Sequence, residues 1–145
     1  MKHYSAILNI ASRSIGRSDP PYIIAEMSAN HNNDIERAYK IIKEAKNAGA
    51  DAVKLQTYTA DTMTLDLKDG EFFIDDPKSL WKGQAMHDLY KLAHTPWEWH
   101  EPIMKHASSR NLLCFSSPFD ESAVDFLERH EVTKITRIQS IVICR

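Results

Sequence analysis

Three short stretches of this sequence carry polar side chains at or just after the end of an apolar run. They supply a carboxylate, an ammonium group, amides, an imidazole and hydroxyls, carried by Glu26, Asn30, His31, Lys54, Gln56, Ser116 and Ser117. An ammonium group and hydroxyls are suited to binding a phosphate or a carboxylate. We therefore expect the three stretches to converge on one site for an anionic ligand.

Lys54 is the most informative of these residues because it lies inside an otherwise apolar strand. A buried charge without a partner costs several kcal/mol, so this lysine needs a fixed anion nearby. A structural ion pair with Glu26 and a role in binding a ligand both satisfy that need. Ser116 and Ser117 could likewise start a turn or bind phosphate, and His31 is interpreted as a hydrogen-bonding loop residue rather than a metal ligand.

Hydrophobic periodicity predicts the elements that position these groups. The run from Tyr22 to Glu26 is typical of a buried parallel strand. Apolar spacing then predicts a helix over 34–48, a strand over 52–57, a long loop over 58–82 and a helix from Met86 to Ala93. A capping box at Thr95 predicts a helix over 96–109, followed by a strand over 112–115 and a helix capped by Asp120. A small hairpin over 5–15 precedes them.

The order of these elements is that of repeated βα units. In such units the carboxyl ends of parallel strands meet at one edge, where the connecting loops build the site. The 145 residues are enough for one domain but too few for a closed eight-stranded barrel, which needs roughly 200 or more.

Composition narrows the class of protein. Hydrophobic residues make up 43% and charged residues 26%, and the 18 basic residues are scattered, which argues against a nucleic-acid partner. No run approaches a membrane span, and Cys114 and Cys144 form no disulfide framework, so a cytoplasmic protein is expected. The helix histidines are expected on the solvated surface: His87, His94, His100 and His106.

Three motifs resemble one family. They are Ile23-Ile-Ala-Glu26-x-Ser-Ala-Asn30-His31-Asn, Ala48-Gly-Ala-Asp51-Ala-Val-Lys54-x-Gln56-Thr57-Tyr and Ser116-Ser-Pro-Phe119-Asp. Together they resemble the sialic acid synthase family over residues 20 to about 130. Three stretches narrow the resemblance to its pseudaminic acid synthase branch: Asp61-Thr-Met-Thr-Leu65, His94-Thr-Pro-Trp-Glu-Trp-His100 and Phe115-Ser-Ser-Pro-Phe-Asp120.

The resemblance implies an α/β fold, the N-terminal part of a TIM (β/α)8 barrel preceded by a short β-hairpin and incomplete at the C-terminus. It divides the chain into a hairpin cap over 1–20, a barrel portion over 21–131 and a divergent tail over 132–145. By resemblance the activity is condensation of phosphoenolpyruvate with 2,4-diacetamido-2,4,6-trideoxy-L-altrose to pseudaminic acid and phosphate. A divalent metal, Mn²⁺ or Mg²⁺, is implied with ligands absent from this chain, and the full-length family is homodimeric.

The same resemblance assigns roles residue by residue. Glu26 matches a catalytic glutamate near the metal-bound water and the sugar aldehyde. Four residues match substrate-binding positions: Lys54 and Gln56 for phosphoenolpyruvate, Ser117 for the same ligand, and Phe119 for the pocket wall. Lys134 is left unassigned. N-acetylneuraminate or legionaminate synthesis and a noncatalytic fragment are the alternatives, and the chain alone is expected to be inactive.

Overall fold

The computed structural model describes residues 8–11 and 13–129. The first element of the fold is a small antiparallel hairpin. Its strands are β1, Leu8–Ile10, and β2, Arg13–Ile15. The Arg13 guanidinium pairs with the Asp51 carboxylate and donates to the carbonyl oxygens of Pro20 and Pro21, at 3.2 and 2.9 Å. Because Asp51 immediately precedes a sheet strand, the hairpin is fastened at the amino ends of the strands, as a hairpin cap would be.

Three parallel strands form the main sheet. They are β3, Ile24–Glu26, β4, Ala52–Thr57, and β5, Leu113–Pro118, in the order β3-β4-β5. β3 is shorter than the run predicted from Tyr22, and Ile23 is 50% exposed rather than buried. Ile24 and Ala25 of β3 itself are only partly buried and Glu26 is exposed, and within the described residues β3 pairs only with β4, at an edge of the sheet. The predicted burial on both faces is therefore wrong for β3.

Two amphipathic helices cover one face of this sheet. Helix α1, Ile35–Asn47, links β3 to β4, and helix α4, His100–Ser108, precedes β5. The Asp34 side chain caps α1 by accepting from the Glu36 N–H at 2.9 Å, as expected for an N-cap. The helices bury a core whose largest fully enclosed members are Met27, Ile42, Val53, Leu55 and Ile103. Burial of each such side chain contributes about 1.5–3 kcal/mol.

The connection between β4 and α4 is long, as predicted. It contains α2, Ala60–Met63, a 3-10 turn at Gly70–Phe72, α3, Met86–Ala93, and a second 3-10 turn at Trp97–Trp99. The predicted helix over 96–109 thus begins as a 3-10 turn, and Thr95 makes no cap hydrogen bond because its hydroxyl contacts His31 instead. The capping box predicted there is wrong.

Helix α5, Glu121–Arg129, ends the described part of the chain. Asp120 caps it as predicted, since its Oδ1 accepts from the Ala123 N–H at 3.1 Å. The hydrogen bond from Ser122, together with this backbone contact, lowers the pKa of the Asp120 carboxyl. No helix within residues 8–11 and 13–129 is long and apolar enough to cross a membrane. The predicted tail over 132–145 and Lys134 lie outside the described residues.

Candidate active site

Strand register brings the predicted site residues onto one face of the sheet. Glu26 is the register partner of Lys54, and Gln56 is the partner of Ser117. Side chains alternate along a strand, so Lys54 and Gln56 share a face, and in-register neighbours share it with them. The opposite face, which carries Val53 and Leu55, packs against the helices. The four polar residues therefore lie together at the carboxyl ends of three strands, on the face not covered by α1 and α4.

Lys54 and Glu26 form an ion pair in this arrangement. The Lys54 Nζ lies 2.6 Å from Glu26 Oε1, and their side chains are 21% and 56% exposed. An ammonium group has three donors, so one carboxylate oxygen does not saturate it. The ion pair that the sequence suggested is therefore present in the structure. Lys54 can still bind a further anion while it is paired with Glu26.

Gln56 is held from the β3 side of the sheet. The Ser28 hydroxyl, two residues beyond Glu26, donates to Gln56 Oε1 over 3.2 Å. This contact joins the loop after β3 to the end of β4. Asn30 is used differently, since its side-chain amide donates to the Met27 carbonyl at 2.9 Å and so closes the same loop on itself.

Ser116 and Ser117 point to opposite faces and therefore differ in what they can do. Ser117 is partly exposed beside Gln56, whereas Ser116 is fully buried on the helix face. The Ser116 Oγ lies 2.6 Å from Thr57 Oγ1, which lies 2.7 Å from His100 Nε2. Only Ser117 can meet a ligand on the open face, while Ser116 belongs to a buried polar cluster of Ser116, Thr57 and His100.

The buried cluster has a defined hydrogen-bond direction. The His100 Nδ1 is 3.2 Å from the Trp97 carbonyl oxygen, and a carbonyl can only accept, so Nδ1 carries a hydrogen. In the neutral ring Nε2 then accepts from Thr57, whose oxygen accepts from Ser116. The prediction of a surface His100 is wrong, because this residue shares helical spacing with the core residues Ile103 and Ala107.

Two other histidines are also buried, and for His87 this contradicts the predicted surface position. His87, predicted on the surface, is only 8% exposed and its Nε2 lies 2.7 Å from Asp61 Oδ1. His31 is fully buried: its Nδ1 accepts from the Asn33 N–H at 3.1 Å, and its Nε2 is 3.1 Å from Thr95 Oγ1. Burial, together with nearby His94, lowers the pKa of His31. These contacts fit the hydrogen-bonding role predicted for His31.

Phe119 lies at the rim of the same end of the sheet. It is 45% exposed, and its ring meets the Tyr58 ring edge-on with centroids 5.4 Å apart. The Phe119 N–H donates to the Thr57 carbonyl oxygen at 3.1 Å, which ties the start of the loop after β5 to the end of β4. An exposed aromatic ring in this place is available as a pocket wall.

The described part of the chain also bears on two other kinds of site, a cysteine nucleophile and a metal site. Burial raises the pKa of the Cys114 thiol to about 12, so it is not an activated nucleophile. Among residues 8–11 and 13–129, no group of three or more histidine, cysteine, aspartate or glutamate side chains is placed to hold a metal ion. The ammonium group, the amide and the hydroxyl on the open face are hydrogen-bond donors that can bind an anion.

Comparison with known proteins agrees with this geometry. The model of the NeuB family matches residues 41–144. Pseudaminic acid synthase of Campylobacter jejuni is 48% identical over 110 residues, which are 76% of this chain and 32% of that protein. N,N'-diacetyllegionaminic acid synthase of Legionella pneumophila is 34% identical over 114 residues, 77% of this chain and 31% of that protein. The chain spans about a third of the length of these curated relatives.

A solved structure shows the same fold. The N-acetylneuraminic acid synthetase of Leptospira borgpetersenii superimposes with a TM-score of 0.71 and 26% identity, over 92% of this chain and 40% of that one. The predicted fold class is confirmed: the chain is α/β, the N-terminal part of a TIM barrel preceded by a β-hairpin. The family model covers more than half of the chain and the solved structure shares its fold, so the chain belongs to the NeuB family.

Proposed function

We propose that this chain carries the phosphoenolpyruvate-binding part of a pseudaminic acid synthase. The observation that carries the proposal is the row on the open sheet face, where Glu26, Lys54, Gln56 and Ser117 lie side by side. Phosphoenolpyruvate presents a phosphate and a carboxylate, and this row offers one ammonium group, an amide and a hydroxyl as donors. Phe119 would form an apolar wall beside them.

Lys54 supplies the main attraction for the ligand. Its side chain is 21% exposed, so the ammonium group is partly withdrawn from water, where a charge-assisted hydrogen bond is stronger. Glu26 holds this charge in place before the ligand arrives. Because only one carboxylate oxygen contacts Nζ, a phosphate oxygen can join the ammonium group without full separation of the pair.

Glu26 is the candidate catalytic residue of the row. In the proposed reaction the methylene carbon of phosphoenolpyruvate bonds to the aldehyde carbon of 2,4-diacetamido-2,4,6-trideoxy-L-altrose, and the aldehyde oxygen takes up a proton. Water adds at the phosphoenol carbon and releases one proton, which balances the proton taken up by the aldehyde oxygen. The bond from this carbon to the phosphate oxygen then breaks, the new hydroxyl loses its proton to become the keto oxygen, and phosphate leaves with that proton. The Glu26 side chain is 56% exposed toward the open face, which would let its carboxylate reach the aldehyde end of the bound pair.

A divalent metal, Mn²⁺ or Mg²⁺, is part of the proposal for the whole protein only. The described residues do not fit a complete metal site, because no suitable cluster of three ligands lies within 8–11 and 13–129. Glu26 alone is not such a site. Assembly of the whole protein as a homodimer is part of the same proposal.

The choice of sugar rests on the higher identity to a pseudaminic acid synthase than to a legionaminic acid synthase. N-acetylneuraminate or legionaminate synthesis is the second candidate. A further alternative is that the 145-residue chain is noncatalytic, because the outer edges of β3 and β5 are unpaired within the described residues and large apolar side chains such as Leu80, 93% exposed, face solvent.

A chimaeric synthase separates these alternatives. Residues 1–129 of this chain would be joined to the remaining C-terminal part of the Campylobacter jejuni pseudaminic acid synthase. With phosphoenolpyruvate, Mn²⁺ and each candidate sugar, we expect phosphate release with the diacetamido-trideoxy sugar. No phosphate release from a folded chimaera would refute the proposed phosphoenolpyruvate site. The 145-residue chain in the same assay should release no phosphate and should scatter light as aggregates; turnover by a monodisperse sample would refute that part.

A further inference from the structure

Three aromatic rings lie at the same end of the sheet as the polar row. Tyr58 directly follows β4, and its ring meets the Phe119 ring with centroids 5.4 Å apart and the Tyr90 ring of α3 with centroids 6.0 Å apart, edge-on in both cases. Tyr58 is buried, whereas Phe119 is 45% exposed and Tyr90 is partly exposed. These three residues, here called the aromatic group, therefore combine one enclosed ring with two that water still reaches.

Strand pairing places the aromatic group one step beyond the polar row. Gln56 pairs with Ser117, and the Phe119 N–H donates to the Thr57 carbonyl oxygen at 3.1 Å, so β4 and β5 still run side by side where the aromatic residues begin. Two residues along a parallel strand advance about 6.6 Å and return the side chain to the same face. The rings of Tyr58 and Phe119 thus follow the amide and the hydroxyl of the row in the direction of the connecting loops.

The contacts of these rings agree with that placement. Within the described residues, the core between the sheet and the helices is built from other side chains, so the Tyr58 ring is enclosed elsewhere. Its neighbours are the Phe119 ring and the Tyr90 ring. An apolar surface therefore adjoins the hydrogen-bond donors of the polar row, which is the usual make-up of a small-molecule site.

We propose that the aromatic group is a subsite for the apolar groups of the sugar substrate. This inference rests on the proposed function, in which phosphoenolpyruvate occupies the polar row and its methylene carbon bonds to the sugar aldehyde. The proposed sugar carries two acetamido groups and a methyl group at C6, and so presents three methyl groups. Phe119 and Tyr90 offer these methyl groups an apolar surface, and Tyr58 is a positioning residue that packs against both rings.

The two substrates differ in the surface that each needs. Phosphoenolpyruvate carries a phosphate and a carboxylate, which bind to donors and gain little from an aromatic ring. Methyl groups gain free energy when they leave water for an apolar surface. The aldehyde carbon must approach the methylene carbon to about 3–3.5 Å before the bond forms, so the sugar lies directly beside the ligand of the polar row, within reach of the aromatic group.

Removal of the Tyr90 ring tests the subsite in the chimaeric synthase. Tyr90→Leu keeps an apolar side chain on α3 but lacks the ring, whereas Tyr90→Phe keeps the ring. With phosphate release as the assay, we expect Tyr90→Leu to raise the KM for the diacetamido-trideoxy sugar about 5- to 10-fold. The KM for phosphoenolpyruvate and kcat should stay within about 2-fold, since binding energy lost equally from ground and transition states raises KM alone. Tyr90→Phe should match the parent.

Tyr58 is tested through the same pair of constants. Tyr58→Leu removes the ring that contacts the other two, so it should raise the KM for the sugar by a similar factor and leave the KM for phosphoenolpyruvate unchanged. Tyr58→Phe keeps the ring and should restore the KM of the parent. A merely structural role would instead lower the melting temperature and affect both KM values together.

Tyr39→Leu is the matched control. Tyr39 is also a helix tyrosine with a ring contact, but it stacks on His106 of α4 with centroids 4.2 Å apart, on the helix-covered side of the sheet. Neither KM should change in this control. An unchanged KM for the sugar in Tyr90→Leu, or an equal rise in both KM values, would overturn the subsite. Failure of the proposed function looks different, because the parent chimaera would then release no phosphate with this sugar, and the inference would fall with it.

Discussion

Replacement of Lys54 by methionine tests whether the Lys54–Glu26 contact serves the fold or the ligand. Methionine keeps most of the apolar stem and removes the charge. Glu26 is 56% exposed, so its carboxylate stays hydrated when the ammonium group is lost, and the pair should contribute less than about 1 kcal/mol to folding. A charge-assisted hydrogen bond to phosphate is worth about 1.5–3 kcal/mol, which corresponds to a loss of about 10- to 150-fold in affinity.

The assay is a phosphoenolpyruvate titration of the chimaeric synthase by ligand-observed NMR, with thermal unfolding measured on the same samples. Lys105→Met is the matched control, since Lys105 also pairs with a glutamate but is 75% exposed on α4, away from the sheet face. We expect the control to bind phosphoenolpyruvate as the parent does. If Lys54→Met bound normally while its melting temperature fell by several degrees, Lys54 would be a structural residue and the site assignment would be refuted.

Three further predictions, all for the chimaeric synthase, address catalysis, the buried cluster and pH. In the chimaeric synthase, Glu26→Gln should leave phosphoenolpyruvate affinity nearly unchanged but lower turnover by about 100-fold or more, measured as phosphate release; normal turnover would remove Glu26 from catalysis. Thr57→Val keeps the shape but removes the hydroxyl that both Ser116 and His100 contact, so urea unfolding should show a loss of about 2–4 kcal/mol, against about 1 kcal/mol for Thr57→Ser, which keeps the hydroxyl. Equal losses of unfolding free energy in Thr57→Val and Thr57→Ser would contradict a stabilising role for the Thr57 hydroxyl in the cluster. Because burial lowers the pKa of His31 below its ordinary value of 6.5, its contribution to stability is complete above pH 6.5 and is lost as pH falls from there through the folded-state pKa. The urea midpoint should therefore fall less steeply on acidification in His31→Gln than in the parent, and parallel curves would argue against a neutral buried His31.

Much of the arrangement at the site was determined by the sequence alone. The alternation of side chains along a strand places Lys54 and Gln56 on one face whatever the rest of the chain does. The apolar spacing of α1 and the βα order predict that this strand lies in a parallel sheet whose carboxyl ends converge. These features depend on local geometry, which has a fixed period, and so they can be predicted before any tertiary contact is known.

Register between strands was decided only by the tertiary structure. The pairing of Glu26 with Lys54, and of Gln56 with Ser117, selects Ser117 for the open face and sends Ser116 to the buried cluster. Nothing in the dipeptide distinguishes the two serines, because a shift of one residue along β5 would exchange their faces.

Tertiary contacts also decided the hydrogen-bond partners of polar side chains that could bond either locally or across the fold. Thr95 had the spacing of a helix cap, yet its hydroxyl contacts His31, 64 residues earlier in the chain. His100 was expected on the surface, yet α4 turns it toward Thr57, and Ser28 takes a left-handed conformation that no local pattern indicated. A hydroxyl or an imidazole can satisfy its hydrogen bonds locally or across the fold at similar free energy, so its partner is chosen by what the packed elements bring within reach.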